Sequence, residues 1–374
     1  MKNKTIIYTG GFALPDKNAA ANRVVSNGKI FDKLGCKTVF LGLSDSEEKY
    51  EGIREINGQI NMFEQARPFS TKQWVKRIFD ISAISSLAEK YNADTVILYN
   101  LPFFTLWRAK KALSKKNIEV AYDCTEWTKG TDGSIPKRLF KAFDEILIRN
   151  FAHKFSDGMI AISKMMEKKY KSAKKLLILP PLVDIDDEIW HQKTDSDEDV
   201  FEFCFAGIPD GKKESLDKVV EAFCRMNKEN TRLCIIGITE NDFRNIYPDC
   251  VISDNISGEI KFMGRISHAE AIRRISGCDC YIFIRRSDRR NNAGFPTKFA
   301  ESFTCRVPII TTDVSDVGEY IKKSGRGTVL GDMSVSDIAN AMISAVEKGK
   351  NIPSEPDTAF HYATFIKETE KWLE

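Results

Sequence analysis

Residues 280–320 read CYIFIRRSDRRNNAGFPTKFAESFTCRVPIITTDVSDVGEY, and the fold is decided here. Cys280–Ile284 is a short apolar, strand-like run, followed by a basic polar loop. Gly294-Phe295-Pro296-Thr297 then opens a helix over Thr297–Thr304, and Pro308–Thr311 is a second strand. Two strands joined through a helix are the unit of a parallel α/β sheet. Proline suits the first turn of a helix, and Gly294 allows a ligand to approach the backbone closely. The unpaired amides of that turn form an anion site carrying an effective charge of about +0.5. Lys298 adds a positive charge there, and Arg285 and Arg286 leave the preceding strand towards the same rim. Glu301 lies one turn further on, where its carboxylate can accept hydrogen bonds from two neighbouring hydroxyls.

The same rhythm extends in both directions. Strands are expected at Thr5–Thr9, Lys37–Leu43, Thr95–Tyr99, Glu119–Tyr122 and Gly158–Ile162, with an apolar run at Leu176–Leu179. Amphipathic helices are expected at Ala19–Lys33, Thr71–Tyr91, Thr105–Lys115 and Pro136–Phe155. After Pro180-Pro181 comes an Asp-rich polar stretch, 184–199, which reads as a linker. The alternation then restarts, with strands at Glu202–Ala206, Leu233–Ile236, Ile260–Met263, Cys280–Ile284 and Pro308–Thr311. Helices are expected at Ser215–Asn227, His268–Ser276, Thr297–Thr304 and Ser336–Lys348. The expected organisation is α/β throughout: a Rossmann-like doubly wound domain over 1–183, the linker 184–199, a second such domain over 200–355, and a C-terminal helix in 356–374 that packs back on the first domain. Two such domains facing across a cleft hold ligands at the carboxyl ends of their strands.

Composition narrows the class. The chain has 374 residues, 42% hydrophobic and 29% charged, as in a soluble globular protein. No apolar run reaches the roughly 18 to 20 residues that span a bilayer. The start, Met1 to Gly11, holds one strand-length apolar run and reads as no signal peptide. Nine cysteines lack metal-like spacing, and several, including Cys36, Cys204 and Cys234, sit in or beside strand-like runs, as reduced thiols of a cytosolic protein do. The four histidines are scattered, so no metal site is expected. The net charge of +3 hides an asymmetry: residues 1–180 carry 31 Lys+Arg against 19 Asp+Glu, and the rest 25 against 34. The basic half suits an anionic surface or partner, although solvated helix faces give the same count.

Three further loops follow strands. In Phe203–Phe223, FCFAGIPDGKKESLDKVVEAF, a Gly-rich turn and two lysines precede an amphipathic helix. Gly10-Gly11 ends the first strand, and Arg23 lies early in the next helix. The third glycine of a dinucleotide fingerprint is absent there. Asp123 and Glu126 follow the strand Glu119–Tyr122, where either could accept a proton or simply cap a helix. Asp279 and the run Asp195–Asp199 are not read as a metal-binding acidic pair, because one precedes an apolar strand and the other falls in the linker.

GFPTKFAES followed by CRVPIITTD closely resembles the donor-binding signature of the group 1 (family 4) retaining glycosyltransferases of the GT-B fold, in particular the bacterial capsule and exopolysaccharide branch. The resemblance implies a nucleotide-sugar donor, with diphosphate at the helix start and ribose at Glu301. It pairs Glu301 with a second glutamate eight positions earlier, where this chain has Ala293. Gly207 and Lys213 match the family's glycine and diphosphate lysine, whereas Ile208 replaces a basic residue. Gly264, in IKFMGRI, corresponds to backbone that borders the base, and Arg23 to an arginine near the cleft loop of Gly10 and Gly11. The donor set implied is therefore Gly207, Lys213, Gly264, Arg285, Gly294, Phe295, Pro296, Thr297, Lys298 and Glu301. Asp123 and Glu126 are the acceptor-side candidates. No cofactor and no metal are expected, since helix amides and basic residues take the leaving diphosphate.

The function expected is retaining transfer of a sugar from a UDP- or GDP-sugar to a glycan or lipid-diphosphate-linked acceptor in surface polysaccharide synthesis. The setting expected is cytoplasmic, at the inner face of an anionic membrane, with no nucleic acid partner. Two alternatives stand: a non-catalytic nucleotide-sugar-binding subunit, which Ala293 favours, and a sugar-nucleotide epimerase of the same fold. The epimerase would need carboxylates and histidines around the sugar, and histidine is scarce.

Overall fold

A computed structural model describes residues 4–127, 134–192, 199–211, 213–252, 257–351 and 355–374. The chain divides into two compact units, Met1–Leu182 with Tyr362–Glu374, and Val183–His361.

The first unit begins β1 (Thr5–Gly10), α1 (Ala19–Lys33), β2 (Lys37–Leu43), β3 (Ile53–Glu55) and β4 (Met62–Gln65). It continues α2 (Thr71–Phe79), α3 (Ser82–Lys90), β5 (Thr95–Tyr99), α4 (Phe103–Leu113) and β6 (Glu119–Cys124). The run ends α5 (Ile135–Phe155), β7 (Gly158–Ala161), α6 (Lys164–Tyr170) and β8 (Leu176–Ile178). The sheet order is β3-β4-β2-β1-β5-β6-β7-β8, with only β3–β4 antiparallel. β1 and β5 are buried along their whole length, which is why they read as continuous apolar runs. They approach closely because residue 10 is glycine: a Cβ there would lie 2.7 Å from the Tyr99 carbonyl oxygen.

The second unit contains β9 (Phe201–Ala206), α7 (Leu216–Met226), β10 (Thr231–Ile236), α8 (Glu240–Ile246), β11 (Ile260–Phe262) and α9 (His268–Gly277). Then come β12 (Cys280–Phe283), α10 (Arg289–Ala293), α11 (Thr297–Thr304), β13 (Ile309–Thr312), α12 (Val317–Ser324), β14 (Gly327–Leu330) and α13 (Val335–Lys348). Its sheet is wholly parallel, in the order β11-β10-β9-β12-β13-β14. In α7, Leu216, Val219, Val220 and Phe223 form one buried face, at the spacing of a helix that covers a sheet.

Several expectations change. The helix expected over 71–91 is two helices, because Asp80 takes an extended backbone and its carboxylate caps the Ser82 amide at 2.9 Å. The stretch read as linker is folded where it is described: the Ile185 amide donates to His361 Nδ1 at 3.3 Å, and Trp190 is buried in a 3₁₀ turn at Glu188–Trp190. Just before it, Val183 pairs with His361. Residues 193–198 of that stretch lie outside the described residues. The C-terminal helix begins only at Ile366, as α14 (Ile366–Leu373), after a 3₁₀ turn at Tyr362–Phe365. It packs on the first unit, where Lys4 Nζ donates to the Leu373 carbonyl at 2.7 Å. Trp372 occupies the space that the missing side chain of Gly158 leaves, since a Cβ there would come 2.8 Å from the indole.

Candidate functional site

The strand order of the second unit reverses between β9 and β12, and in such sheets the loops leaving that point form the binding crevice. The two loops are zipped together. Glu214 pairs with Arg285 as an isolated antiparallel bridge, and the Ser215 amide donates to the Ile284 carbonyl at 3.0 Å. The Arg286 amide donates to the Lys213 carbonyl at 3.2 Å. Thr312, at the end of β13, braces this arrangement: its hydroxyl donates to the Arg285 carbonyl at 2.6 Å and accepts from the Arg285 amide at 3.0 Å. Residues some seventy positions apart thus present one rim.

On this rim the Lys213 backbone is fixed by its amide, which donates a hydrogen bond to Asp210 Oδ1 at 2.8 Å, while its half-buried ammonium has no partner among the described residues. Arg285 differs from expectation. Its guanidinium donates to the Glu214 carboxylate and stacks over Phe283 at 5.0 Å, so its charge is already compensated. Its role is to hold the two loops, not to offer a free cation.

A row of glycine turns crosses the ends of β9, β10 and β11. Gly207 donates to the Ile236 carbonyl at 2.9 Å, Gly237 to Gly264 at 2.8 Å, and Gly264 to Ile238 at 3.0 Å. Gly264 has φ +63° and Gly237 φ +117°. A Cβ at 237 would fall 2.1 Å from the Gly207 carbonyl oxygen, so glycine is obligatory there. At 207 a Cβ would meet nothing nearer than 3.6 Å. The glycine that the turn requires is therefore Gly237, directly after Ile235-Ile236, rather than the expected Gly207.

The segment 285–294, expected as a basic polar loop, contains the short helix α10, capped by Asp288 and ending at the fully buried Ala293. Gly294 continues from it, its carbonyl accepting from the Ser315 hydroxyl at 2.5 Å. Phe295 is buried against Phe299, Tyr320 and Phe360, and therefore anchors the start of α11 rather than lining a site. Pro296 is the N-cap of α11, one position before the first turn expected for it, and no side chain caps the helix. The Phe299 and Ala300 amides reach the Pro296 carbonyl at 3.1 and 3.3 Å, which leaves those of Thr297 and Lys298 unpaired among the described residues.

One turn in, Glu301 is 6% exposed. Lys298 Nζ donates to its Oε2 at 2.7 Å, and His268 Nε2, from the first residue of α9, lies 3.1 Å from Oε1. Burial alone would raise the Glu301 carboxyl, but Lys298 and His268 outweigh it and hold the group below the usual carboxylate range. The site thus keeps an ionised carboxylate beside two unpaired amides and an ammonium. His268 was not legible as a partner, since 33 residues separate it from Glu301 and no spacing links them. Among the described residues no group of three His, Cys, Asp or Glu is placed to hold a metal ion.

Residues 186–359 match the family model described as glycosyl transferases group 1. The match lies wholly within the second unit and spans nearly all of it. A comparison with curated protein sequences gives no match. Among solved structures, a glycosyltransferase from Rickettsia africae is similar at 14% identity over 100% of both chains, with a TM-score of 0.68. HepE of Anabaena, in complex with UDP and glucose, is similar at 12% identity over 98% of both chains, with a TM-score of 0.65. A UDP-GlcNAc 2-epimerase from Methanocaldococcus jannaschii gives 12% identity, 99% of both chains and a TM-score of 0.59. At these identities the likeness is one of fold, the two-Rossmann GT-B architecture.

In the first unit the candidates divide. Asp123 is wholly buried: Tyr8 Oη donates to one oxygen and Arg23 Nη2 to the other at 3.1 Å. Arg23 also donates to the Leu179 and Pro180 carbonyls at 2.9 and 3.1 Å. Burial and the Asp123 carboxylate push the Tyr8 phenol well above its ordinary value. This network ties α1 to β1, β6 and the chain after β8, which removes Asp123 from proton transfer and Arg23 from the loop expected at the cleft. Gly10 serves the β1–β5 contact, while Gly11 is exposed with open space around it. Glu126 is exposed just beyond β6, beside the buried Trp127, whose Nε1 donates to Tyr170 Oη at 3.0 Å.

Proposed function

We propose that the protein transfers a sugar from a nucleotide-sugar donor to a glycan or lipid-diphosphate-linked acceptor, with retention of anomeric configuration. The observation that carries this is the ionised Glu301 held by Lys298 and His268 beside the uncapped start of α11. Glu301 still has acceptor capacity for the ribose hydroxyls, since each carboxylate oxygen accepts more than one hydrogen bond. The Thr297 and Lys298 amides, with Lys213, receive the diphosphate and stabilise the charge it develops on leaving. The turns at Gly237 and Gly264 give the base an approach to backbone. No metal takes part in this scheme. HepE, which shares the fold, binds UDP and glucose, in keeping with a UDP-type donor. Glu126 is the remaining carboxylate for the acceptor side.

The fold also hosts an epimerase, and His268 weakens the argument from scarce histidine. The buried Ala293, where the resemblance places a glutamate, keeps a binding subunit as the second reading. Turnover of radiolabelled donor with and without acceptor separates the three. A thermal-shift screen across UDP, GDP, TDP and ADP identifies the base, because ligand at 100 times its dissociation constant stabilises by about 2.7 kcal/mol. If none of the four stabilises the protein, the donor reading fails.

A membrane-bound acceptor, as in surface polysaccharide assembly at the cytoplasmic face, is supported by the first unit. No helix in the described residues is long and apolar enough to cross a membrane. Yet α2 buries no residue and exposes Trp74, Val75 and Phe79. On α5, Ile135, Leu139, Phe143 and Ile146 are exposed at the three- and four-residue spacing of one helix face. Lys72, Lys76, Lys137, Arg138 and Lys141 accompany them on these helices. Apolar side chains among lysines and arginines suit the interface of an anionic bilayer, where each cation contributes about 1 kcal/mol within a Debye length of about 8 Å. Co-sedimentation should rise with anionic lipid content and fall with salt; negligible binding at low salt would favour a soluble acceptor.

A further inference from the structure

A cavity of about 340 Å³ lies in the first unit, between the segment that follows β2, the end of β4 and the helix α2. Four cations line it: Lys49, Arg67, Lys76 and Arg77. Two acids, Glu51 and Asp80, stand against them, and the Asp80 carboxylate is already used to cap Ser82. Some other cations of this unit do meet carboxylates. Arg54, close by in sequence, takes both Glu48 and Glu64, and Lys110 takes Asp157 at 2.5 Å. Among the described residues none of the four cavity cations is in an ion pair. Arg77 is the sharpest case. Its half-buried guanidinium donates to Gln65 Oε1 at 2.9 Å, a neutral acceptor, and burial pushes it down to about 10 with no carboxylate to offset the loss.

Four like charges around one cavity repel one another, and a bound anion would relieve that repulsion. An arginine fork and nearby ammonium groups suit the oxygens of a phosphate. The volume suits a small ligand. Phe69 adds a half-exposed ring to the wall, with Lys49 Nζ over it at 5.6 Å, and its free face offers apolar contact to the C–H face of a sugar.

We propose that this cavity binds the phosphate or diphosphate of a phosphorylated sugar, so that the acceptor is recognised by its phosphate and not by its glycan alone. The assignment to an acceptor rests on the glycosyl-transfer reading; the anion site itself does not. Calorimetry with inorganic pyrophosphate and with a hexose phosphate, in the presence of saturating donor nucleotide, tests it on the full chain. The wild type and the Lys213→Ala variant should bind pyrophosphate equally, while Arg77→Gln should weaken it at least tenfold. Lys49→Gln with Arg67→Gln, both on exposed side chains, should do likewise and guards against misfolding of the Arg77 variant. In transfer assays these variants should raise acceptor KM with kcat unchanged. Binding of hexose phosphate alone marks a soluble acceptor; Arg77-dependent binding to vesicles containing phosphatidic acid marks a lipid-borne one. Pyrophosphate affinity unchanged by both sets of variants overturns the site. Pyrophosphate binding lost on these substitutions in a protein that transfers no sugar keeps the anion site and overturns its acceptor role.

Discussion

Replacing Glu301 by glutamine removes one charge and almost no volume, and the structure sets what should follow. Oε2 receives Lys298 at 2.7 Å and Oε1 faces His268 at 3.1 Å, with the carboxylate 6% exposed. Glutamine can accept at one position only, and it turns its amide towards the other partner, which clashes with a donor there. A hydrogen bond to a charged group contributes about 1.5 to 3 kcal/mol. At 1.36 kcal/mol per decade, losing one such bond to the donor ribose weakens nucleotide binding about 10- to 150-fold. Titration calorimetry with the nucleotide found by thermal shift measures this directly, and kcat/KM should fall in the same range. His268→Ala, which leaves the charge in place, should cost less. Adding Lys213→Ala removes the proposed diphosphate contact as well. If the Glu301→Gln, Lys213→Ala double variant binds nucleotide as the wild type does, the donor site lies elsewhere.

Asp123→Asn strips Arg23 of its buried carboxylate, a change that costs about 3 to 5 kcal/mol, so the melting temperature should fall steeply. Lost transfer at an unaltered melting temperature would restore Asp123 to the chemistry. Transfer activity should survive EDTA; activity that vanishes and returns with manganese would contradict the scheme. Asp144 caps the start of α4 from α5, with its Oδ1 accepting from the Phe103 amide at 2.8 Å, and burial raises its carboxyl to about 6. The unfolded chain releases this proton first, so stability declines as pH rises from about 4 to about 6 and stays lower above. Asp144→Asn should therefore be more stable than the wild type at pH 7.5 by roughly 1 to 2 kcal/mol, with the gap closing near pH 4. A gap independent of pH would refute the assignment.

The two sheets were legible because their inner strands are unbroken β-branched and aromatic runs, buried on both faces, as in β1 and β5. The short pieces were not. β3 and β4 are three and four residues long and largely polar at their ends, while β14 begins at Gly327, so none carries a strand-length signal. In the second unit, the order strand, Gly-Phe-Pro-Thr, helix placed Lys298 and Glu301 in the first turns of α11 because local spacing fixes a helix start. What spacing could not give was pairing across distance. Arg285 finds Glu214, Glu301 finds His268, and Asp123 finds Tyr8 and Arg23 only once the sheets bring their strands together. A charged residue at a strand end has the same sequence signature whether it meets a ligand or another side chain.

The bridge between Val183 and His361 carries a consequence for synthesis. It closes the second unit on itself, with the Val183 amide also donating to the Phe360 carbonyl at 2.8 Å, so this unit is an uninterrupted insertion in the first. A ribosome working at about 5 to 20 residues per second takes roughly ten to thirty-five seconds to make the stretch between them. Throughout that interval the first eight-stranded sheet waits without α14, and the floor at Gly158 that Trp372 later covers stays open. The second unit can therefore mature before its neighbour, and expressing residues 183–361 alone is the simple way to obtain it as a folded fragment for nucleotide-binding tests. The converse fragment, residues 1–182, would emerge from the ribosome with an apolar scar.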